Sequence, residues 1–137
     1  MPIDYKFFND PALVFIRYYG HITADELIEA SQRFALEPDF VPGQPHFFDM
    51  SQITSYDIDF PKFLAFMANL AEIYPSGECE QLFVFYAPEG KPAEMADMAR
   101  KPWEGSSSIF IRVAHTRDQA FDILGGERSD VLAHIEA

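Results

Sequence analysis

Two short runs constrain this chain more than any other feature. QLFVFYA, residues 81–87, and IFIRVA, residues 109–114, are apolar at almost every position. A strand with one wet face alternates apolar with polar residues, whereas a strand covered on both faces does not. Both runs are therefore predicted to lie centrally in a sheet, because an exposed edge of that composition would recruit other chains.

The segments around them supply the rest of such a fold. YKFF (5–8) and LVFIRYYG (13–20) read as two strands around a turn at Asn9, Asp10 and Pro11. Thr23 with Glu26 makes a capping-box pattern, opening a helix whose apolar face is Ala24, Leu27, Ile28, Ser31, Phe34 and Ala35. Pro38, Pro42 and Gly43 end that helix and force a loop. HFFDM (46–50) is predicted as a short strand. FPKFLAFMANLAEIY (60–74) is predicted as a helix, with Pro61 in its first turn and Pro75 and Gly77 as its stop. KPAEMADMARK (91–101) gives a third helix, Thr116 and Gln119 a second capping box before a fourth, and SDVLAHIEA (129–137) a short docked helix. The order β-β-α-β-α-β-α-β-α predicts an α/β fold. It is a single domain over residues 1–137, with a five-stranded, mixed but mostly parallel sheet and four to five helices.

Composition narrows the functions open to such a domain. A net charge of −12 with no cluster of Lys or Arg disfavours nucleic acid and anionic lipid headgroups. With no long apolar run, membrane insertion is not expected, and MPIDYKFF does not read as a secretory signal, so a cytoplasmic protein is expected. The single cysteine, Cys79, excludes an internal disulfide and a cysteine-based zinc site, and its neighbours Glu78 and Glu80 disfavour a thiolate nucleophile. His21, His46, His115 and His134 are scattered and form no metal-binding pair by spacing.

The stretch FFDMSQITSYDIDF (47–60) is the most suggestive for chemistry. It reads as a strand end, a hydroxyl-rich loop and the start of a helix. Asp49, Asp57 and Asp59 are a candidate set for a hard cation, but they miss the EF-hand spacing, and Asp59 suits a helix N-cap. APEGKP (87–92) lacks the glycine pattern of a phosphate loop, and no nucleophile elbow or dinucleotide motif is present. A non-enzymatic protein is expected, with no catalytic, cofactor-binding or metal residue.

The element order, together with GHITADEL (20–27) and PDFVPGQPHFFDMSQI (38–53), resembles the SpoIIAA-like (STAS and Sec14-like) superfamily. The matching features are Gly20, Thr23, Pro38, Phe40, Pro42, Gly43 and Asp49. In anti-sigma-factor antagonists of that group, a motif of the form D-L-S-x-V-x-x-x-D-S carries a regulatory phosphoserine. Asp49, Ser51, Ile53 and Asp57 match it, but the serine position falls on Ile58, which has no hydroxyl. The resemblance implies the fold and a regulatory, protein-binding role without the phosphoserine. Its Sec14-like side implies an alternative, a carrier or sensor of a small apolar or lipid-like ligand.

The helix over 60–74 bears on both readings. Phe60, Phe63, Leu64, Met67, Leu70, Ala71 and Tyr74 fall on one face, with Phe66 and Ile73 beyond its edge. That arc is wider than one sheet contact needs. A deeply sunk helix, a homodimer face and a pocket wall all account for it, and Phe66 is expected on the dimer face. The candidate interaction or pocket residues are Asp49, Ser51, Asp57, Ile58, Phe63, Phe66 and Ile73. The expected partner is a second copy or another protein, with a small apolar ligand as the other occupant.

Overall fold

Five strands form one sheet in the order β1-β2-β3-β4-β5 in the computed structural model, which describes residues 2–9, 11–74, 80–106 and 108–136. They are β1 (Ile3–Asn9), β2 (Ala12–Thr23), β3 (His46–Asp57), β4 (Gln81–Tyr86) and β5 (Ile109–Ala114). β1 runs antiparallel to β2, and the remaining pairs are parallel. The helices are α1 (Ala24–Ala35), α2 (Phe60–Ile73), α3 (Lys91–Arg100), α4 (Arg117–Ile123) and α5 (Ser129–Glu136), with a single 3₁₀ turn after α3. The expected helix stop at Pro75 and Gly77, the Cys79 thiol, and Asp10 and Ser107 lie outside the described residues.

The strand order dictates where the helices go. Each crossover joins neighbouring parallel strands and steps in the same direction, so crossovers of one hand all land on one face. That face carries a core built from Val14, Ile16, Ile22, Met50, Phe83 and Phe85 of the strands and Leu27, Phe34, Met95 and Ala96 of the helices. The chain covers the other face only after β5, where Phe121 and Val131 of α4 and α5 close over Phe15, Phe47 and Val84. β3 and β4 alternate between the two cores, which is why their apolar runs are continuous.

Two expectations need correction. Residues 109–114 form an edge strand, not a central one. β5 is only six residues long and places exposed Arg112 in its middle, which blunts the edge. The strand expected over 46–50 runs on to Asp57, so most of the expected loop is extended and paired. β4 reaches only as far as Asp49, and beyond it β3 pairs with β2 alone, from Tyr19↔Gln52 to Thr23↔Asp57. With only one partner strand, this extension tolerates the exposed Gln52 and Thr54. The ladder shifts register on either side of Gly20, whose φ of 63° is in the left-handed region.

The caps follow the sequence with one change. Glu26 N donates to Thr23 Oγ1, and Thr23 N donates back to Glu26 Oε1 at 3.0 Å, which completes the capping box of α1. Asp59 caps α2 by accepting from Lys62 N at 2.9 Å. Thr116 caps α4, but Gln119 accepts from His115 N rather than from the cap residue, so the second box is only half formed.

A candidate ligand cavity beneath α2

α2 does not sink into the sheet. None of its 14 residues is fully buried, although its sequence carries only Lys62 and Glu72 as charges. It is tied sideways to α1, through Lys62 Nζ to Asp25 Oδ2 at 3.1 Å and Asn69 Nδ2 donating to Ser31 Oγ. The inner side is only partly the one expected, with Met67, Leu70 and Tyr74 of the expected face turned inward. Phe66, Leu70 and Ile73 pack against the first core, whereas Phe60 and Leu64 are 70% and 51% exposed and Ala71 is exposed. Phe66 therefore faces inward and not onto an outer dimer surface.

Between α2 and the sheet lies a cavity. Phe66, Met67 and Leu70 form its roof, Ile16, Phe48 and Met50 its floor, and Leu27, Phe34 and Met95 its sides. The space open to the centre of a water inside it is about 90 Å³, against roughly 10–15 Å³ for one water. Among the described residues, no Lys, Arg, Asp or Glu lines it. Burial and the aromatic walls favour an apolar, ring-sized occupant.

The polar atoms at the wall can be followed one by one. His46 Nδ1 lies 2.8 Å from Gln44 O, and a carbonyl only accepts, so Nδ1 carries the proton. Nε2 is therefore an acceptor, and the Tyr74 hydroxyl donates to it at 2.7 Å. Burial pushes the His46 pKa down to about 4, so the ring is neutral near pH 7. Burial raises the pKa of Tyr74, with the neighbouring Tyr18 adding to the shift, and burial also raises that of Tyr18. The Tyr5 hydroxyl donates to Glu37 Oε1 at 2.7 Å, and burial with that carboxylate pushes it up to about 12. Ser31 Oγ donates to Ile28 O and accepts from Asn69. That leaves the Tyr18 hydroxyl and the Trp103 indole N–H, neither of which has a hydrogen-bond partner among the described residues.

The other residues singled out in the sequence do not converge here. Asp49 is buried, but it points to the opposite face. There Oδ1 accepts from Ser51 N at 2.9 Å and from Ser51 Oγ at 2.6 Å, and Oδ2 lies 4.0 Å from Arg17 Nε. Asp57 is exposed at the end of β3, Ile58 packs half-buried on the first core, and Phe63 is half-buried away from the cavity lining. Among the described residues, no group of three or more His, Cys, Asp or Glu side chains stands ready for a metal ion. Sequence reading missed Tyr18 and His46 as cavity residues. Both alternate with inward apolar neighbours, Ile16 for the one and Phe48 for the other, and that period placed them on the cavity face.

No protein-family model matches the chain, and no curated protein matches its sequence. Solved structures do match its shape. One is an uncharacterised protein of the DUF3478 family from Shewanella loihica PV-4 with a SpoIIAA-like fold, at TM-score 0.53 and 11% identity, covering 89% of this chain and 91% of that one. Another is the anti-sigma factor antagonist SpoIIAA in its unphosphorylated form, at TM-score 0.48 and 9% identity, covering 91% of this chain and 99% of that one. The five-stranded sheet, its mostly parallel ladder and the likeness to the Shewanella structure give this chain a SpoIIAA-like α/β fold.

Proposed function

We propose that this domain is a non-enzymatic carrier or sensor of a small apolar ligand held between α2 and the sheet. The observation that carries this reading is the cavity itself, roofed by a helix that is apolar yet nowhere fully buried. An apolar helix with nothing beneath it gains from sinking onto the sheet, because each buried methylene contributes about 0.8 kcal/mol. A ligand in the cavity supplies that contact instead. The neutral, hydrogen-bonded His46 and the un-ionised tyrosines support recognition rather than acid–base chemistry. Native mass spectrometry of the purified protein, followed by two-dimensional amide NMR with indole as a probe, tests it. A retained small molecule, or indole-induced shifts confined to Tyr18, Phe66, Leu70 and their neighbours, is the expected result. A bare chain with no shifts at those residues overturns it.

A second reading has its own support. The outward side of α2 exposes Phe60 and Leu64 beside Ala68 and Ala71, an apolar stripe suited to a protein partner, the simplest being a second copy. Among the described residues, no helix is long and apolar enough to cross a membrane, so that stripe does not belong to a membrane span.

A further inference from the structure

Two hollows meet at one side chain. Beside the cavity beneath α2, a groove runs along β5, lined by Arg100, Glu104, Gly105, Phe110 and Arg112 among others. Its space open to the centre of a water is about 370 Å³, against about 90 Å³ in the cavity. Glu104, Gly105 and Arg112 are exposed, so the groove is in contact with solvent. Trp103 and Ile111 line both spaces. Ile111 is fixed in the sheet, paired with Phe83 of β4. Trp103 is outside the sheet. It ends the three-residue 3₁₀ turn Lys101–Trp103, and Gly105, two residues on, has a φ of 78°.

The Trp103 indole packs half-buried on the first core, and in this position it closes the wall between groove and cavity. It is also lightly restrained. Among the described residues its N–H has no hydrogen-bond partner, and no other ring stacks on it. The other rings of the wall hold one another: Tyr18 pairs with Phe48, His46 and Tyr74 with Phe83, Tyr5 with Phe34 and Phe85 with Phe48. Phe66 is the exception, but it sits on a 14-residue helix tied to α1. A short turn followed by a glycine absorbs backbone rotation at less cost than a helix or a paired strand.

We infer that Trp103 is the gate of the cavity, so that ligand enters and leaves by the groove along β5 when the indole swings out of the wall. The inference rests on the cavity being a ligand site, as argued above. Amide NMR titration with indole, analysed by line shape, gives association and dissociation rates separately. Trp103→Ala should raise both by about tenfold, because binding that waits for a conformational change is slowed in each direction. A residue that merely touches the ligand would instead alter dissociation and leave association as it was. Trp103→Phe keeps a ring on the core and should shift both rates the same way by a smaller factor, which preserves the test if the alanine variant loses its dispersed spectrum. Phe66→Leu trims a residue of the cavity that does not line the groove, so association should stay unchanged. Folded Trp103 variants that bind indole with an unchanged association rate overturn the gate and leave the cavity reading standing. Faster association in Phe66→Leu than in Trp103→Ala moves the entrance to the roof and also overturns it. If indole binds neither the unsubstituted protein nor Trp103→Ala, the cavity reading falls and this inference with it.

Discussion

The Tyr74 hydroxyl lies 2.7 Å from His46 Nε2 and donates to it, linking the residue after α2 to the first residue of β3 through a neutral imidazole. The opposite ring nitrogen is fixed by Gln44 O, so the tautomer is determined and both nitrogens are satisfied. The ring also stacks on Phe83 with centroids 5.0 Å apart. Protonating it would reverse the Tyr74 bond, with Nε2 donating to the hydroxyl oxygen, and place a charge in an apolar wall.

Acid should therefore destabilise the fold before the carboxylates titrate. His46 has a folded pKa of about 4, below the ordinary value of 6.5, so the unfolded chain binds the proton first. The stability this contributes is fully present above pH 6.5 and is lost as pH falls toward 4. A shift of that size corresponds to about 3 kcal/mol. Burial holds the His134 pKa down in the same direction, so the difference between the unsubstituted protein and His46→Asn isolates His46. Urea unfolding at intervals from pH 7.5 to 4.5 should show the loss in the former and a flatter profile in the latter. Parallel profiles would contradict the buried, neutral assignment.

Tyr74→Phe leaves His46 Nε2 buried without a donor. The expected cost is about 1–3 kcal/mol, the penalty of an unsatisfied buried acceptor, read as a lower urea midpoint with an unchanged slope. An unaffected midpoint would mean that water replaces the hydroxyl.

How much of this was legible in the sequence differs from element to element. The strand–helix order, the Thr23 box and the Asp59 cap rest on short-range patterns and are present as expected. The helix over 60–74 forms as expected, but its inner side was read only in part, because it is apolar nearly all round. Phe66, Leu70 and Ile73 form one helical stripe, and Phe60, Leu64, Ala68 and Ala71 form another, so periodicity alone does not choose between them. The choice is made by Asn69 and Lys62 holding the helix to α1, contacts between residues 37 or 38 positions apart. The long β3 was missed for a related reason. Its outer half is polar and is extended only because β2 lies alongside, so local propensity read it as a loop.

The outward stripe of α2 offers a test of the docking reading. Leu64→Asp changes a residue that is 51% exposed, so stability should move by no more than about 0.5 kcal/mol. If the stripe meets a second copy, light scattering should report a larger species for the unsubstituted protein and a monomer for the variant. A monomer in both cases leaves the stripe to a different protein or to none.

Exposure to a partner-switching kinase should leave residues 51–60 without phosphate. Ser51 Oγ is bonded to the Asp49 carboxylate, Ser55 Oγ lies 2.7 Å from His21 Nδ1 within a paired strand, and Ile58 has no hydroxyl. A phosphate on Ser51 would meet that carboxylate as a like charge. Peptide mass spectrometry reads the outcome, and stoichiometric phosphate at Ser51 or Ser55 would show that β3 opens for a kinase.

Asp49 is expected to hold the fold rather than to act on a ligand. Asp49 is 4% exposed, its carboxylate accepts two hydrogen bonds from Ser51 and faces Arg17, whose Nε has no hydrogen-bond partner among the described residues. The guanidinium stays tied down by other means, donating to the Tyr19 hydroxyl at 3.0 Å and lying 5.2 Å from the Phe15 ring centroid. Asp49→Ala removes the acceptor for Ser51 and leaves a mostly buried cation without its counter-charge, so a loss of about 2–4 kcal/mol is expected. Asp49→Asn keeps an oxygen for Ser51 N while removing the charge, and should cost less. The ordering of the two variants in chemical unfolding separates the capping role from the ionic one. Because the carboxylate lies on the sheet face opposite the cavity, neither variant should change the affinity for indole. A variant that unfolds normally but loses that affinity would place Asp49 in communication with the ligand, contrary to the position it takes in the fold.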